Sequence, residues 1–76
     1  MKPDSLTILG QSIRQKRKAL QWTQEDLADK AGIDRSYIGG VERGERNLTF
    51  GVLCQICTAF GCDVAELTEG IPDIPK

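Results

Sequence analysis

Cys54, Cys57 and Cys62 are the side chains of this 76-residue sequence with the widest chemical repertoire, and their grouping raises zinc binding or thiol redox work. A structural zinc site needs four ligands. The chain has no histidine to complete the set, and none to act as a base. It also lacks a glycine-rich phosphate loop and a nucleophile motif. We therefore expect no metal, no cofactor and no enzyme. Cys57 shares a helical register with Leu53, Ile56 and Phe60, where cysteine behaves as a small apolar residue. Three closely spaced cysteines do not resemble the disulfide framework of a secreted domain, so reduced thiols are expected. Chemistry based on contact rather than bond breaking then falls to the cations and short polar residues around Arg35.

Length and composition set the frame for those residues. A chain of this size is about half of a typical domain and hides only roughly 60% of its unfolded surface on folding, which disfavours a deep substrate pocket. With 39% hydrophobic and 28% charged residues it reads as an ordinary globular protein, and 5% aromatics make the interior mostly aliphatic. No apolar run approaches the roughly 18 residues that span a bilayer, and no secretory signal is evident, so a cytoplasmic protein with no membrane partner is expected. Net charge is −1, but residues 1–50 hold nine Lys or Arg against seven Asp or Glu. Residues 51–76 hold Lys76 against Asp63, Glu66, Glu69 and Asp73. A cationic front and an acidic back suit a DNA reader whose rear meets protein, or simply a solvated surface.

Four segments repeat one local pattern: an apolar residue, a capping residue, three helix-starting residues and a second apolar residue. Trp22 and Leu27 flank Thr23, Ile33 and Ile38 flank Asp34, Leu48 and Leu53 flank Thr49, and Cys62 and Leu67 flank Asp63. This is the hydrophobic staple around an N-cap, strengthened by an acid at the third helical position in Asp26 and Glu66. Gly32, Gly44, Gly61 and Gly70 fall where these helices should stop. Leu6, Leu9, Ile13 and Leu20 form the apolar stripe of a first helix that starts after Asp4 or Ser5. No strand pattern occurs. The expected fold is all-α, five helices in one domain over 1–76, with a core of about 6–68 and a tail at 69–76.

Between Thr23 and Arg43, Ala31-Gly32-Ile33-Asp34 is too short a link for a long antiparallel hairpin, so the two helices must cross steeply. With Gln24 as position one, Leu27, Ala31, Ile33, Ile38 and Val41 place apolar residues at four, eight, ten, fifteen and eighteen, with Ala28 and Gly32 at five and nine. This segment resembles the helix-turn-helix of the phage lambda repressor and Cro type. The resemblance covers roughly residues 6–68 and rests on Leu9-Gly10, Ile13-Arg14 with Arg17, Trp22 to Ala28, Tyr37-Ile38 and Val41-Glu42-Arg43-Gly44. Asp34 to Gly44 followed by Arg46-Asn47 is similar, more narrowly, to the controller proteins of restriction-modification systems.

The residues themselves agree with a reading role for 34–43. At about 100° per residue from Arg35, Ile38 and Val41 fall near 300° and 240°, whereas Arg35, Gly39, Arg43 and Ser36 span roughly 0–100°. One face is core and the other free. N-terminal residues of a helix in the major groove reach the base edges, so Arg35 is the leading base reader, with Ser36 and Tyr37 adding a base or phosphate contact. Tyr37 also suits a partly buried position. Gly39 and Gly40 each cost roughly 1 kcal/mol relative to Ala in a helix, which points either to close approach of DNA or to tolerance inside a well-packed fold.

The resemblance further implies phosphate contacts from Gln24, Arg43, Arg46 and Asn47, and an ion pair between Arg17 and Glu42 that ties the reader to the scaffold. Dimeric reading of a palindromic operator requires a second interface. Val52, Cys54, Val64, Ala65 and Ile71 remain after the core is assigned, and a subset of them is expected to form it. The implied function is sequence-specific transcriptional regulation through double-stranded DNA by a homodimer, acting at a promoter where RNA polymerase is a further partner. The alternative is an antitoxin or anti-repressor module whose main partner is a protein.

Overall fold

The computed structural model describes residues 4–74, so the start of the expected domain and the last two residues of its tail lie outside the described residues. Five helices follow in chain order: α1 (Ser5–Ala19), α2 (Gln24–Ala31), α3 (Arg35–Glu42), α4 (Phe50–Phe60) and α5 (Val64–Leu67). No strand occurs among the described residues.

Each helix starts at a residue whose side-chain oxygen takes up an orphan backbone N–H. Asp4, Thr23, Asp34, Thr49 and Asp63 accept from Thr7, Asp26, Ser36, Val52 and Glu66 respectively. At α2 the arrangement is reciprocal, because Asp26 accepts in return from the Thr23 backbone N–H at 2.8 Å. Glu66 makes no such return bond; its carboxylate pairs with Lys16 and joins α5 to α1. Gly32 and Gly61 close α2 and α4 in the left-handed region.

The apolar stripes converge on one core containing Leu9 and Ile13 from α1, Leu27 and Ala28 from α2, Ile38 and Val41 from α3, Leu53, Ile56 and Cys57 from α4, and Leu67 from α5. The outer member of each staple, Trp22, Ile33, Leu48 and Cys62, is half-buried against this core. Trp22 stacks on Phe60 with ring centroids 5.7 Å apart, and the Lys30 ammonium lies 5.0 Å from the Trp22 ring centre. Leu20 departs from the expected stripe. It caps α1 instead of continuing it and is 43% exposed.

Gly10 governs the placement of α3. A Cβ there would stand 2.4 Å from the Val41 carbonyl oxygen and 2.7 Å from that of Glu42, so α1 and α3 approach backbone to backbone only because Gly10 has no side chain. Gly44, at φ 76°, turns the chain immediately after α3 and rests on Thr7, whose Cα would be 2.9 Å from an added Cβ. These two contacts seat both the start of α1 and the end of α3.

Candidate nucleic-acid interface

Helix α3 is built to be held by one side. Ile38 and Val41 are 0% and 2% exposed, while Arg35 and Ser36 in its first turn are exposed. Arg35 makes no hydrogen bond or ion pair among the described residues, so its fork of donors is presented to solvent. Ser36 is less free. Its backbone N–H and its hydroxyl both donate to Asp34 Oδ1, at 2.8 and 2.7 Å. Those two bonds hold the Asp34 carboxyl below its ordinary pKa, the hydroxyl contributing most. The Ser36 oxygen therefore retains acceptor capacity, and donation to DNA requires giving up the cap bond.

Tyr37, Gln24, Arg43 and Arg46 of the expected contact set gather about the outer side of α3. Tyr37 is half-buried against the core, and the Arg46 guanidinium lies 5.3 Å from the centre of its ring. Arg43 Nε donates to Glu45 Oε1 at 3.0 Å, with both side chains about 60% exposed. Gln24 Nε2 donates to Glu42 Oε1 at 3.1 Å, which brings the start of α2 to the end of α3. Asn47 is exposed and joins none of these contacts.

Gly39 and Gly40 are enclosed by other side chains. Their angular positions put them on or beside the free face, yet both are buried. The cover is the protein's own: Arg43 and Gln24 lie over Gly39, and Arg46 lies over Gly40. A surface approaching these glycines meets the long side chains first.

Arg17 and Glu42 form the pair that ties α3 to α1. Arg17 Nε and Nη2 donate to the two carboxylate oxygens of Glu42 at 2.7 and 3.0 Å, and Nη1 donates to the Trp22 carbonyl at 2.7 Å. The fork-to-fork geometry favours the charged guanidinium and raises Arg17 above its ordinary pKa. No buried side-chain polar atom among the described residues lacks a partner. The network thus joins three helices behind the exposed face.

The apolar residues expected at a second interface do not share one side. Val52 and Cys54 stand about 200° apart around α4. Val52 lines a shallow groove with Ile33, Tyr37 and Gln55, beside the turn between α2 and α3. Val64 and Ile71 are half-buried on the core, Cys54 is half-buried, and Ala65 is exposed. Sequence reasoning missed Phe50, which is 69% exposed at the first position of α4 and lies one helical turn from Cys54. Its signal was available: Phe50 falls between the Thr49 cap and the buried register of Leu53, Ile56 and Cys57.

The three cysteines are unpaired. Burial pushes the Cys57 thiol up to about 11, with Cys62 nearby adding to the effect. Among the described residues no three His, Cys, Asp or Glu side chains are grouped to hold a metal ion.

A family model described as helix-turn-helix matches residues 13–67. The control protein C.SmaI of Serratia marcescens is 39% identical over 64 residues, covering 84% of this chain and 76% of its own. The crystal structure of the restriction-modification controller protein C.AhdI from Aeromonas hydrophila superimposes with a TM-score of 0.80 at 44% identity, covering 82% of this chain and 94% of that one. The structure of C.Esp1396I bound to a 25 base pair operator site gives a TM-score of 0.79 at 35% identity, with 90% of each chain covered. The chain is therefore of the lambda repressor and Cro type and belongs to the helix-turn-helix family.

Proposed function

We propose that this protein is a sequence-specific DNA-binding transcriptional regulator of the controller type, reading a palindromic operator as a homodimer. The observation that carries the reading is the first turn of α3, where Arg35 stands exposed and uncommitted on a helix whose opposite side is locked into the core. In a major groove, Arg35 would bond guanine O6 and N7 together, worth about 1–3 kcal/mol of discrimination. Tyr37 and Ser36 supply the next contacts, and Gln24, Arg43, Arg46 and Asn47 supply phosphate contacts that set register.

For the second copy we propose the α4–α5 side, with Phe50 and Cys54 as its apolar centre and Val64, Ala65 and Ile71 around it. The acidic balance of residues 51–76 keeps this side off the duplex. RNA polymerase is the partner that promoter action requires, and the cytoplasm is the compartment. No helix among the described residues is long and apolar enough to cross a membrane. The antitoxin or anti-repressor alternative is not favoured, since the similar proteins include control proteins that this chain covers over most of their length.

Selection from a pool of random duplexes tests the proposal. A palindrome with half-sites about 10 base pairs apart is expected, with Arg35→Ala relaxing the preference at one or two base pairs. Equal affinity for selected and scrambled duplexes would refute it.

A further inference from the structure

We infer that Gly40 is a positioning residue for Arg46, its bare backbone being the floor on which that arginine is laid against Tyr37 and aimed at DNA. The inference rests on the DNA-reading function proposed above and assigns Gly40 a part in it other than close approach to the duplex.

The geometry separates the two adjacent glycines. A Cβ on Gly39 would come within 3.2 Å of Arg43 Nη1, the far end of a flexible side chain that swings aside easily. A Cβ on Gly40 would stand 2.9 Å from Arg46 Cγ, with Nε at 3.5 Å and Cδ at 3.7 Å. The obstructed atoms are the middle of the Arg46 chain, so the guanidinium cannot keep its place by bending only its tip. Its place is 5.3 Å from the Tyr37 ring centre, a cation–π contact that removes some of the freedom of a long side chain. Arg46 lies outside any helix, in the segment between α3 and α4, where the backbone alone would leave its side chain poorly directed. The glycine floor and the tyrosine wall supply the direction, and a side chain held in its binding position loses less entropy when it meets a phosphate.

The test uses the full chain in four forms: wild type, Gly40→Ala, Arg46→Ala and the double variant, each checked for helicity by circular dichroism. Alanine is the better helix former, so Gly40→Ala is expected to remain folded. In the free protein, nuclear magnetic resonance should find the Arg46 side-chain protons shifted upfield by the Tyr37 ring. That shift should collapse in Gly40→Ala. On the duplex that wild type selects from a random pool, Gly40→Ala should bind about tenfold more weakly, the scale of one charge-assisted contact, and its salt slope should fall by about one phosphate. In the Arg46→Ala background, Gly40→Ala should change nothing further, because the atoms it displaces are gone.

An unchanged Arg46 shift in Gly40→Ala overturns the inference, as does wild-type affinity of that variant. An equal loss in both backgrounds also overturns it, and returns Gly40 to direct approach of the duplex. If wild type selects no duplex at all, the DNA reading fails, while the resonance measurement still decides whether Gly40 places Arg46.

Discussion

Replacing Glu42 by alanine tests how α3 is fastened. The carboxylate is 2% exposed and accepts from Arg17 Nε, Arg17 Nη2 and Gln24 Nε2. After Glu42→Ala the Arg17 side chain, 10% exposed, keeps only the Trp22 carbonyl, and a guanidinium does not escape by losing its proton. Removing one partner of a buried pair costs about 3–5 kcal/mol, against under about 1 kcal/mol for a surface pair. The exposures place this pair with the first class. For a chain of this size total stability is roughly 4–11 kcal/mol, so the variant loses about a quarter of it or more. At roughly 4–8 °C per kcal/mol, its midpoint should fall by at least about 12 °C.

Urea unfolding followed by the fluorescence of Trp22, the single tryptophan, measures the loss close to the network. Glu42→Gln keeps one acceptor oxygen and should lose less. Arg17→Met combined with Glu42→Leu removes both charges and should unfold near wild type or above it, because a desolvated pair yields little net stability over apolar residues of similar volume. A loss under about 1 kcal/mol in Glu42→Ala would mean that water reaches the pair, and the account of α3 as rigidly fastened through it would be wrong.

Gly10→Ala should destabilise by about 1–3 kcal/mol, because the methyl meets backbone oxygens of α3 that no rotamer change can move, and this outweighs the roughly 1 kcal/mol of helix propensity gained; a rise in the urea midpoint would contradict the close contact. Acid should weaken the fold in a defined window. Asp4, Asp26 and Asp34 are held below their ordinary values by the capping N–H and hydroxyl donors, so their contribution is present above about pH 4, the unfolded value, and is lost as pH falls through the lower folded values. Thermal melts should be level near pH 6 and decline below about pH 4, less steeply in Asp34→Asn; a melting temperature that rises on acidification would reverse the sign. Cys54 and Cys62, half-buried, should react with iodoacetamide at pH 8 well before Cys57, whose thiol is pushed up to about 11, as peptide mass spectrometry would show. Cys57 labelling first would refute its burial.

Where helices begin and end was legible from local chemistry alone. A cap such as Thr23 or Asp34 satisfies backbone donors two or three residues away, so its effect needs no distant partner. The core was legible for a related reason: Leu9 and Ile13, Ile38 and Val41, and Leu53, Ile56 and Cys57 recur at helical spacing within their helices, and burial of an apolar stripe does not depend on which neighbour supplies the cover. Gln21, at φ 61° in the turn before α2, carries no such signal, because glutamine does not announce the left-handed region.

The candidate interface divides along the same line. The exposure of Arg35 follows from the angle between it and Ile38 on one helix. The cover over Gly39 and Gly40 does not, since it comes from Gln24 on α2 and from Arg43 and Arg46 beyond the interior of α3. The burial of the Arg17–Glu42 pair and the seating of Val52 in a groove beside Ile33 and Tyr37 likewise depend on how the helices pack. Short-range hydrogen bonds and the period of a helix act within a few residues and are written into their order. Which long side chain crosses which helix, and which charge loses its water, is decided only when segments far apart in the chain are brought within a few ångströms of each other.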